Sequence, residues 1–411
     1  MDSVDVIIVG AGPAGTNAAI QTAKAGLSTI ILEEHSQIGS PVQCGEGISQ
    51  QLLDHLNITD RKDEFIERYF PIQRFYFSGE KSGSWNMQKY YMTSRFKSYL
   101  IDRKKFDVMF ANEAKENGAE IRLSSKAINP RLEEDGVVVD IQTPKNSNNA
   151  ILKGKIIVGA DGPISRIGKS LGLRIPTHYV HGVEWKVKGK WTDSLDFYFD
   201  HELTPAGYSW VFSKDEYSKI GLVCDQKKEP AKRLEMLIER MEKLFDTSFE
   251  KQELIGGLIP AESQRPEKTY GNRFIVTGDA AGLTNPFFYG GIAISVLSGR
   301  FAGESISQIY NKDNNTSYSE SETLLYQKIW QEHPSFSESI YNGRNIFYKD
   351  FDQNDLEVMG KFAHKRNVTD IGYLQTKYLI FKAGTNNHIR KKWRLYKDMI
   401  AGMRNSGRWG F

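Results

Sequence analysis

The sequence of 411 residues predicts a mixed α/β fold. A Rossmann-type nucleotide-binding domain is expected, joined to a domain built on an antiparallel sheet and to a helical C-terminal region. Three observations predict this. VDVIIVGAGPAG is an apolar strand running into a glycine turn and a helix. From near Arg174, segments rich in aromatics alternate apolar with polar residues, as strands with one covered face do. Beyond the polar linker NKDNNTS the chain reads as mostly helical.

The elements follow in order. TNAAIQTAKAG has helical composition and stops at Gly26, and LSTIILEE is a second apolar strand. Strand, helix and strand make one βαβ unit of about 30 residues. The loop PVQCGEGIS comes next, then an irregular stretch with aromatics between Tyr69 and Phe77. Positions 96–117 read as a helix ending at Gly118. AEIRL, GVVVDIQT and KIIVGADG read as strands, and KNSNNA between the last two as a hairpin turn or exposed loop. VHGVEWKVKG, SLDFYFD, YSWVFS and KIGLVCD carry the alternation, and PAKRLEMLIERMEKLFD is an amphipathic helix. NRFIVTGDAAG returns to a core strand, and GGIAISVLSGRFAGESISQIY is a long helix of small and apolar residues. These elements imply a discontinuous nucleotide-binding domain over 1–75, 95–173 and 268–310. A substrate domain takes 76–94 and 174–267, and the helical region takes 318–411.

Composition excludes several classes. The 54 basic and 51 acidic residues nearly cancel, to a net charge of +3, which argues against a dedicated nucleic-acid binder. Two cysteines, Cys44 and Cys224, are too few for a disulfide scaffold or a cysteine-built metal site. No metal is expected. The chain opens on a strand pattern instead of a charged and then apolar leader, and no run of about 18 apolar residues occurs. A reduced, cytoplasmic compartment is expected.

The chemistry lies in the glycine turns. Gly10, Gly12 and Gly15 form GxGxxG between a strand and a helix, with Pro13 and Ala14 inside it. The first glycine permits the tight turn, the second lets a pyrophosphate approach the backbone, and the third lets helix and strand pack closely. Helix amides and dipole then face the phosphates. Glu33, ending the second strand, is placed to accept hydrogen bonds from a ribose. The motif alone does not choose between NAD and FAD, but two later segments do. GADGPISRIG carries Asp161 and Gly162. In FIVTGDAAGLTNPFFYGGIAIS, Gly278 and Asp279 end a strand, and Gly290, Gly291 and Ile292 open the long helix. An aspartate there suits a ribityl or phosphate-side hydroxyl. The helix N-terminus suits the flavin edge that becomes negative on reduction.

Together these segments, with Arg103 in YLIDRKKFD, resemble the FAD-dependent oxidoreductases built like aromatic hydroxylases, over roughly residues 1–305. The resemblance implies that Arg103 contacts FAD and places Ala127 among the cofactor-contacting residues. PVQCGEGIS narrows it further. That loop is similar to the PxxCxxG loop of the geranylgeranyl reductase family, which saturates isoprenoid chains. YSWVFSK is similar to that family's YxWxFPK-like motif, with Ser213 in place of the proline. The family's glycine-rich NPxxxGG segment is bulkier here, with Phe287, Phe288 and Tyr289.

The resemblance implies an apolar substrate tunnel, because an isoprenoid chain offers no polar handle at the reacting bond. Tyr208, Trp210 and Phe212 alternate along one strand and so share a face. Together with Phe287, Phe288 and Tyr289 they are the expected tunnel wall, the bulkier trio shortening or reshaping it. Cys44, Gly45 and Gly47 are expected near the flavin, the glycines letting backbone lie close and Cys44 delivering a proton, guarding the redox state or filling space. Cys44, Tyr208 and Trp210 are the candidate catalytic residues; Glu46 is a candidate loop anchor. The expected reaction is hydride transfer from reduced FAD to one alkene carbon and a proton to the other. With no second GxGxxG, the electron donor is either NADPH bound transiently or a reduced ferredoxin.

Two rival readings share the FAD motifs: a monooxygenase or halogenase, and an electron relay to quinone. No WxWxIP-like halogenase signature occurs. The cationic C-terminal segment also reads two ways. It is either a solvated helix face or a peripheral contact with anionic lipid, through Trp393, Tyr396, Trp409 and Phe411 interleaved with Arg390, Lys391, Lys392, Arg394 and Arg408.

Overall fold

A computed structural model of the chain describes residues 2–77, 90–144, 146–314, 316–365 and 392–408. They fall into two compact units. The first comprises Met1–Val42, Arg103–His178 and Ile259–Glu338; the second comprises Gln43–Asp102, Tyr179–Leu258 and Ser339–Phe411. The expected nucleotide-binding boundaries placed 43–75 and 95–102 with the glycine turns, whereas by contact these residues group with the second unit.

In the first unit the strand order is Tyr270–Gly271, Phe274–Val276, Asn146–Gly159, Asp2–Val9, Thr29–Leu32 and Glu120–Arg122. Ile7 pairs in parallel with Ile157 on one side and Ile30 on the other. Val6, Ile7 and Ile8 are fully buried. This is the run of β-branched residues that a parallel sheet covered on both faces requires. Gly136–Thr143 and Lys126–Glu133 extend the sheet by antiparallel pairing from Asn146–Gly159. Helices Pro13–Lys24 and Ile292–Lys312 pack through small residues. A Cβ on Gly299 would stand 2.0 Å from the Ala14 carbonyl oxygen, so only glycine lets these backbones meet.

Several sequence expectations are corrected. The helix expected over 96–117 starts only at Arg103, because Ser98–Ile101 is a strand. Ser98, Tyr99 and Leu100 pair with Gly47–Ser49 on one side and with Ile66–Phe70 on the other, and this tertiary pairing overrides helical composition. In KNSNNA, Asn146–Ala150 continue the strand that runs to Gly159, and Asn146 pairs with Thr143. Strands Lys126–Glu133 and Lys251–Pro260 went unread in the sequence.

The second unit holds a seven-stranded sheet. Its order is Lys251–Pro260, Tyr179–Lys188, Tyr217–Asp225, Tyr208–Ser213, Leu195–Phe199, Gln73–Phe77 and Tyr90–Ser94. It is antiparallel apart from Leu195–Phe199, which runs parallel to Gln73–Phe77. One covered face was expected, yet both are covered. On one side Val183, Val187, Val211, Ile220, Leu222 and Cys224 pack beneath helix Pro230–Phe245. The other side carries the residues of interest.

Among the described residues, the C-terminal part is helical at Glu320–Glu332, Glu338–Asn345, Gln353–Ala363 and Trp393–Arg408. Asp355 is fully buried and accepts from Lys392 Nζ at 2.6 Å and from the Tyr396 hydroxyl at 3.1 Å. Tyr396 therefore belongs to the core and not to an exposed lipid-facing row. Arg390, Lys391, Trp409 and Phe411 lie outside the described residues, as do the side chains of Trp393 and Arg408. No helix among the described residues is long and apolar enough to cross a membrane.

Candidate active site

In the first unit the glycine turns form a cradle. Gly10 has φ +101°, where a side chain would be strained, and its Cβ would meet the Ala160 carbonyl oxygen at 2.3 Å. A Cβ on Gly15 would lie 1.9 Å from the Gly10 carbonyl oxygen, so helix Pro13–Lys24 sits directly against the strand. Gly12 differs, since a Cβ there meets nothing within 4 Å. It is the N-cap of that helix, with no side-chain cap and no acidic residue in the first turn. The first turn is therefore left without a side-chain acceptor and the backbone at Gly12 is open to approach, which is what a pyrophosphate needs.

Glu33 is buried at the end of the second strand. Its Oε2 accepts from Ala11 N at 2.7 Å, and its Oε1 from His35 N at 2.9 Å. Ser125 N donates to the Glu33 carbonyl at 2.8 Å, which brings Ala127, on the next strand, to the same side of the unit. Arg103, the first residue of its helix, is no solvated charge. Its side chain is 19% exposed, and Nε holds Asp107 Oδ1 at 2.8 Å. Burial raises the Asp107 carboxyl, and Arg103 opposes that rise.

Asp279 is half-buried. Burial raises its carboxyl above the usual range, against the Thr284 hydroxyl, which donates to Oδ1 at 2.9 Å, and the charge of Arg103. Gly291, beside Gly290, brings the helix N-cap close to this acid. A Cβ on Gly291 would lie 3.4 Å from Asp279 Oδ1. Helix Ile292–Lys312, like Pro13–Lys24, has neither a side-chain cap nor an acidic first turn. Two uncapped helix N-termini, an open Gly12 and a half-buried aspartate fit an FAD-sized dinucleotide. Asp161 serves the local backbone: its oxygens accept from Ser165 Oγ, Arg166 N and Ile167 N, capping helix Arg166–Ser170 next to Gly162. Phe287 and Phe288 are buried, with their amides held by Asn285 Oδ1. Tyr289 is buried with φ +55°.

The second unit brings the other candidates together. Register places Gly182, Glu184, Lys219, Gly221, Tyr208, Trp210, Phe212, Phe197, Phe199, Phe75 and Phe77 on one sheet face. The aromatics form a continuous floor. Phe75 stacks on Phe197 at 5.1 Å, and Phe197 meets Phe212 edge-on at 5.2 Å. Phe199 meets Tyr208 at 5.9 Å and Phe347 at 5.3 Å. Each such pair is worth about 0.5–1.5 kcal/mol beyond its buried area. The PVQCGEGIS loop crosses one end, where a Cβ on Gly45 would lie 3.5 Å from Phe212 and one on Gly47 3.7 Å. Cys44 is half-buried there and accepts from Glu46 N through Sγ at 3.2 Å. Cys224 lies on the opposite face, where burial raises its thiol to about 11. The two cysteines thus have separate environments.

Sequence reasoning missed a buried group of charges at this end of the floor. Glu46 Oε2 takes Lys214 Nζ at 2.8 Å and Lys219 Nζ at 2.9 Å; Lys214 also pairs with Glu67. Lys219 Nζ donates to the Cys44 carbonyl at 2.6 Å and lies 3.2 Å from Glu184 Oε1. The Trp210 indole donates to Glu184 Oε2 at 3.0 Å. Burial pushes the Glu46 carboxyl up, but Lys219 and Lys214 outweigh it and hold it below the usual range. For Glu184, burial prevails over Lys219 and Trp210, and the carboxyl is raised.

The family model described as FAD binding domain matches residues 3–297. Digeranylgeranylglycerophospholipid reductase 2 of Methanopyrus kandleri is 32% identical over 343 residues, 80% of this chain and 82% of its own. Digeranylgeranylglycerophospholipid reductase of Methanocaldococcus jannaschii is 30% identical, over 88% of this chain and 90% of its own. The crystal structure of a geranylgeranyl bacteriochlorophyll reductase-like protein from Thermoplasma acidophilum matches with a TM-score of 0.81. It is 24% identical and covers 96% of this chain and 100% of that one, a likeness of fold.

Proposed function

Because this chain belongs to the FAD-binding flavoproteins of the aromatic-hydroxylase-like fold and, within them, to the geranylgeranyl reductase family, we propose that it saturates isoprenoid C=C bonds of geranylgeranyl lipids, as in archaeal membrane lipid biosynthesis. The observation that carries this is the aromatic floor. Seven aromatic side chains line one sheet face, and the indole N–H of Trp210 is turned away to Glu184. A long apolar chain with no polar handle suits such a surface.

FAD, when bound, supplies the hydride. The chain's own residues do the rest. The uncapped first turn beyond Gly12 would hold the pyrophosphate, and Glu33, with the backbone near Ala127, would hold the adenosine. Arg103 and Asp279 would hold the middle of the cofactor, and the helix opening at Gly291 would turn its N-terminal dipole towards the flavin ring. Cys44, with the bare backbone of Gly45 and Gly47, keeps the flavin-facing place that the family resemblance gives it, and Cys44 holds the proton for the second alkene carbon. Tyr208, Trp210 and Phe212 keep the double bond in near-attack geometry. Phe287, Phe288 and Tyr289, bulkier than the family's glycine-rich form, keep the role the resemblance gives them, to shorten or reshape the substrate tunnel. Asp161 and Gly162 support the cofactor through the loop they shape. NADPH or a reduced ferredoxin supplies the electrons.

Peripheral contact with anionic lipid is part of this reading. On helix Trp393–Arg408, Arg394, Lys397 and Ile400 are exposed, while Tyr396 and Met399 face inward. Flotation with anionic vesicles at low and high salt tests it: salt-sensitive binding is expected, and no binding at low salt removes this part.

The main test is anaerobic. Protein reduced with dithionite is offered a geranylgeranyl lipid, oxygen with an aromatic substrate, or a quinone. Reoxidation by the lipid alone supports the reductase. Reoxidation only with oxygen and a hydroxylated product, or only with quinone, replaces it by a monooxygenase or a relay.

A further inference from the structure

Lys214, Lys219, Glu46, Glu67 and Glu184 meet at one end of the aromatic floor, and the reaction as set out above gives none of them a role. All but Glu67 have side chains no more than 6% exposed. Withdrawing a lysine from water is costly unless its partners are well placed. At Lys219 they are. Burial works against its charge, yet Glu184 and Glu46 more than offset that and keep it an ammonium.

The geometry shows what that ammonium holds. It donates to the main-chain carbonyl of Cys44, touches Glu46 two residues on, and reaches Glu184, whose other oxygen receives the Trp210 indole. Glu46 sits at φ +66°, a left-handed conformation that is strained for a non-glycine residue. Its carboxylate, clamped between Lys214 and Lys219, supplies the compensation. The backbone of Glu46 is fixed as well, its carbonyl accepting from Ile101 N at 3.0 Å.

We propose that Lys219 is the positioning residue of the thiol loop: one ammonium ties the Cys44 carbonyl, Glu46 and Glu184 together, so that the loop bearing Cys44 and the strand bearing Trp210 keep a single register. Lys219 bonds to the Cys44 carbonyl and not through the sulfur, and it reaches the indole by way of Glu184. The geometric part stands without the reductase reading. Only its effect on turnover rests on that reading.

The test is hydrogen exchange on the FAD-loaded protein, well below its melting temperature, for Lys219→Met and Lys219→Arg. In Lys219→Met the amides of residues 43–49 are expected to exchange about tenfold faster, while those of helix Pro230–Phe245, on the opposite sheet face, stay unchanged. Lys219→Arg restores most of the protection, because it keeps charge and reach. Should Lys219→Met not fold, Glu46→Gln reads the same loop and is expected to loosen it. Turnover gives the second readout: kcat falls about tenfold in Lys219→Met while the KM for lipid moves less than about twofold. Loop exchange equal to wild type, or a rise shared evenly with helix Pro230–Phe245, overturns the proposal. Loosened loop amides in a protein that reduces no lipid would leave the positioning role intact and instead count against the reductase reading.

Discussion

Trp210 donates its indole N–H to Glu184 across an intervening strand, and Gly221 is what lets it cross. A Cβ on Gly221 would lie 2.5 Å from the indole and 2.5 Å from the Glu184 Cβ. Gly221→Ala is therefore expected to lift the ring, at a cost of about 1–3 kcal/mol. Trp210→Phe keeps the apolar surface but strips a donor from a buried carboxylate, costing about 1–3 kcal/mol. Urea melts of both variants check the stability. Lipid turnover is expected to suffer more in Gly221→Ala, because there the wall itself is displaced.

The cofactor cradle predicts a contrast between two neighbouring glycines. Gly15→Ala forces its methyl into the Gly10 carbonyl, so both folding and FAD retention should fall. Gly12→Ala points its methyl into open space, so the apoprotein should be as stable as wild type. That methyl would still obstruct the approach of a pyrophosphate, so flavin is lost. Flavin-to-protein absorbance after purification, together with melts of the flavin-free forms, separates the two. A yellow, fully loaded Gly12→Ala protein would mean that the phosphates lie elsewhere.

Asp196 predicts a pH dependence. It is buried and receives the Ser194 hydroxyl at 2.5 Å, and burial raises its carboxyl to about 7, against Ser194 and Arg74. In the unfolded chain the group titrates near 3.8. Between those values the folded state holds a proton that the unfolded state has released, so stability declines as pH rises. Asp196→Asn has no proton to lose. Its stability relative to wild type should improve from pH 5 to pH 8, as followed by melts in matched buffers; a constant difference would contradict this assignment.

The legible part of the sequence was the part written in short, local patterns. GxGxxG, the strand ending at Glu33 and the turn at Gly278–Asp279 each carry their geometry within a dozen residues. Tyr208, Trp210 and Phe212 revealed a shared face by period-2 spacing. The charged corner was hidden by the same rule. In VEWKV the alternation assigns Val183, Trp185 and Val187 to the core and Glu184 to water. Val183 and Val187 do pack under helix Pro230–Phe245, but the opposite face is covered too, so Glu184 is 3% exposed. Lys219 misled in the same way. The parallel pairing of Leu195–Phe199 with Gln73–Phe77 joins segments more than a hundred residues apart, and no local pattern signals it.

Glu46 and Lys214 yield a further expectation. Glu46→Ala would leave two buried ammonium groups short of a partner and should destabilise the protein by about 3–5 kcal/mol, as breaking a buried pair does. Replacing Glu67, whose side chain is 34% exposed, should cost far less. Denaturant melts of the two single variants rank them, and equal losses would contradict the burial argument.

The most direct measurement is the mass of a geranylgeranyl lipid after anaerobic incubation with the dithionite-reduced, FAD-loaded protein. The lipid should gain two hydrogens for every double bond saturated, in step with return of the oxidised flavin band. An unchanged lipid mass beside a flavin that stays reduced would contradict the proposed activity.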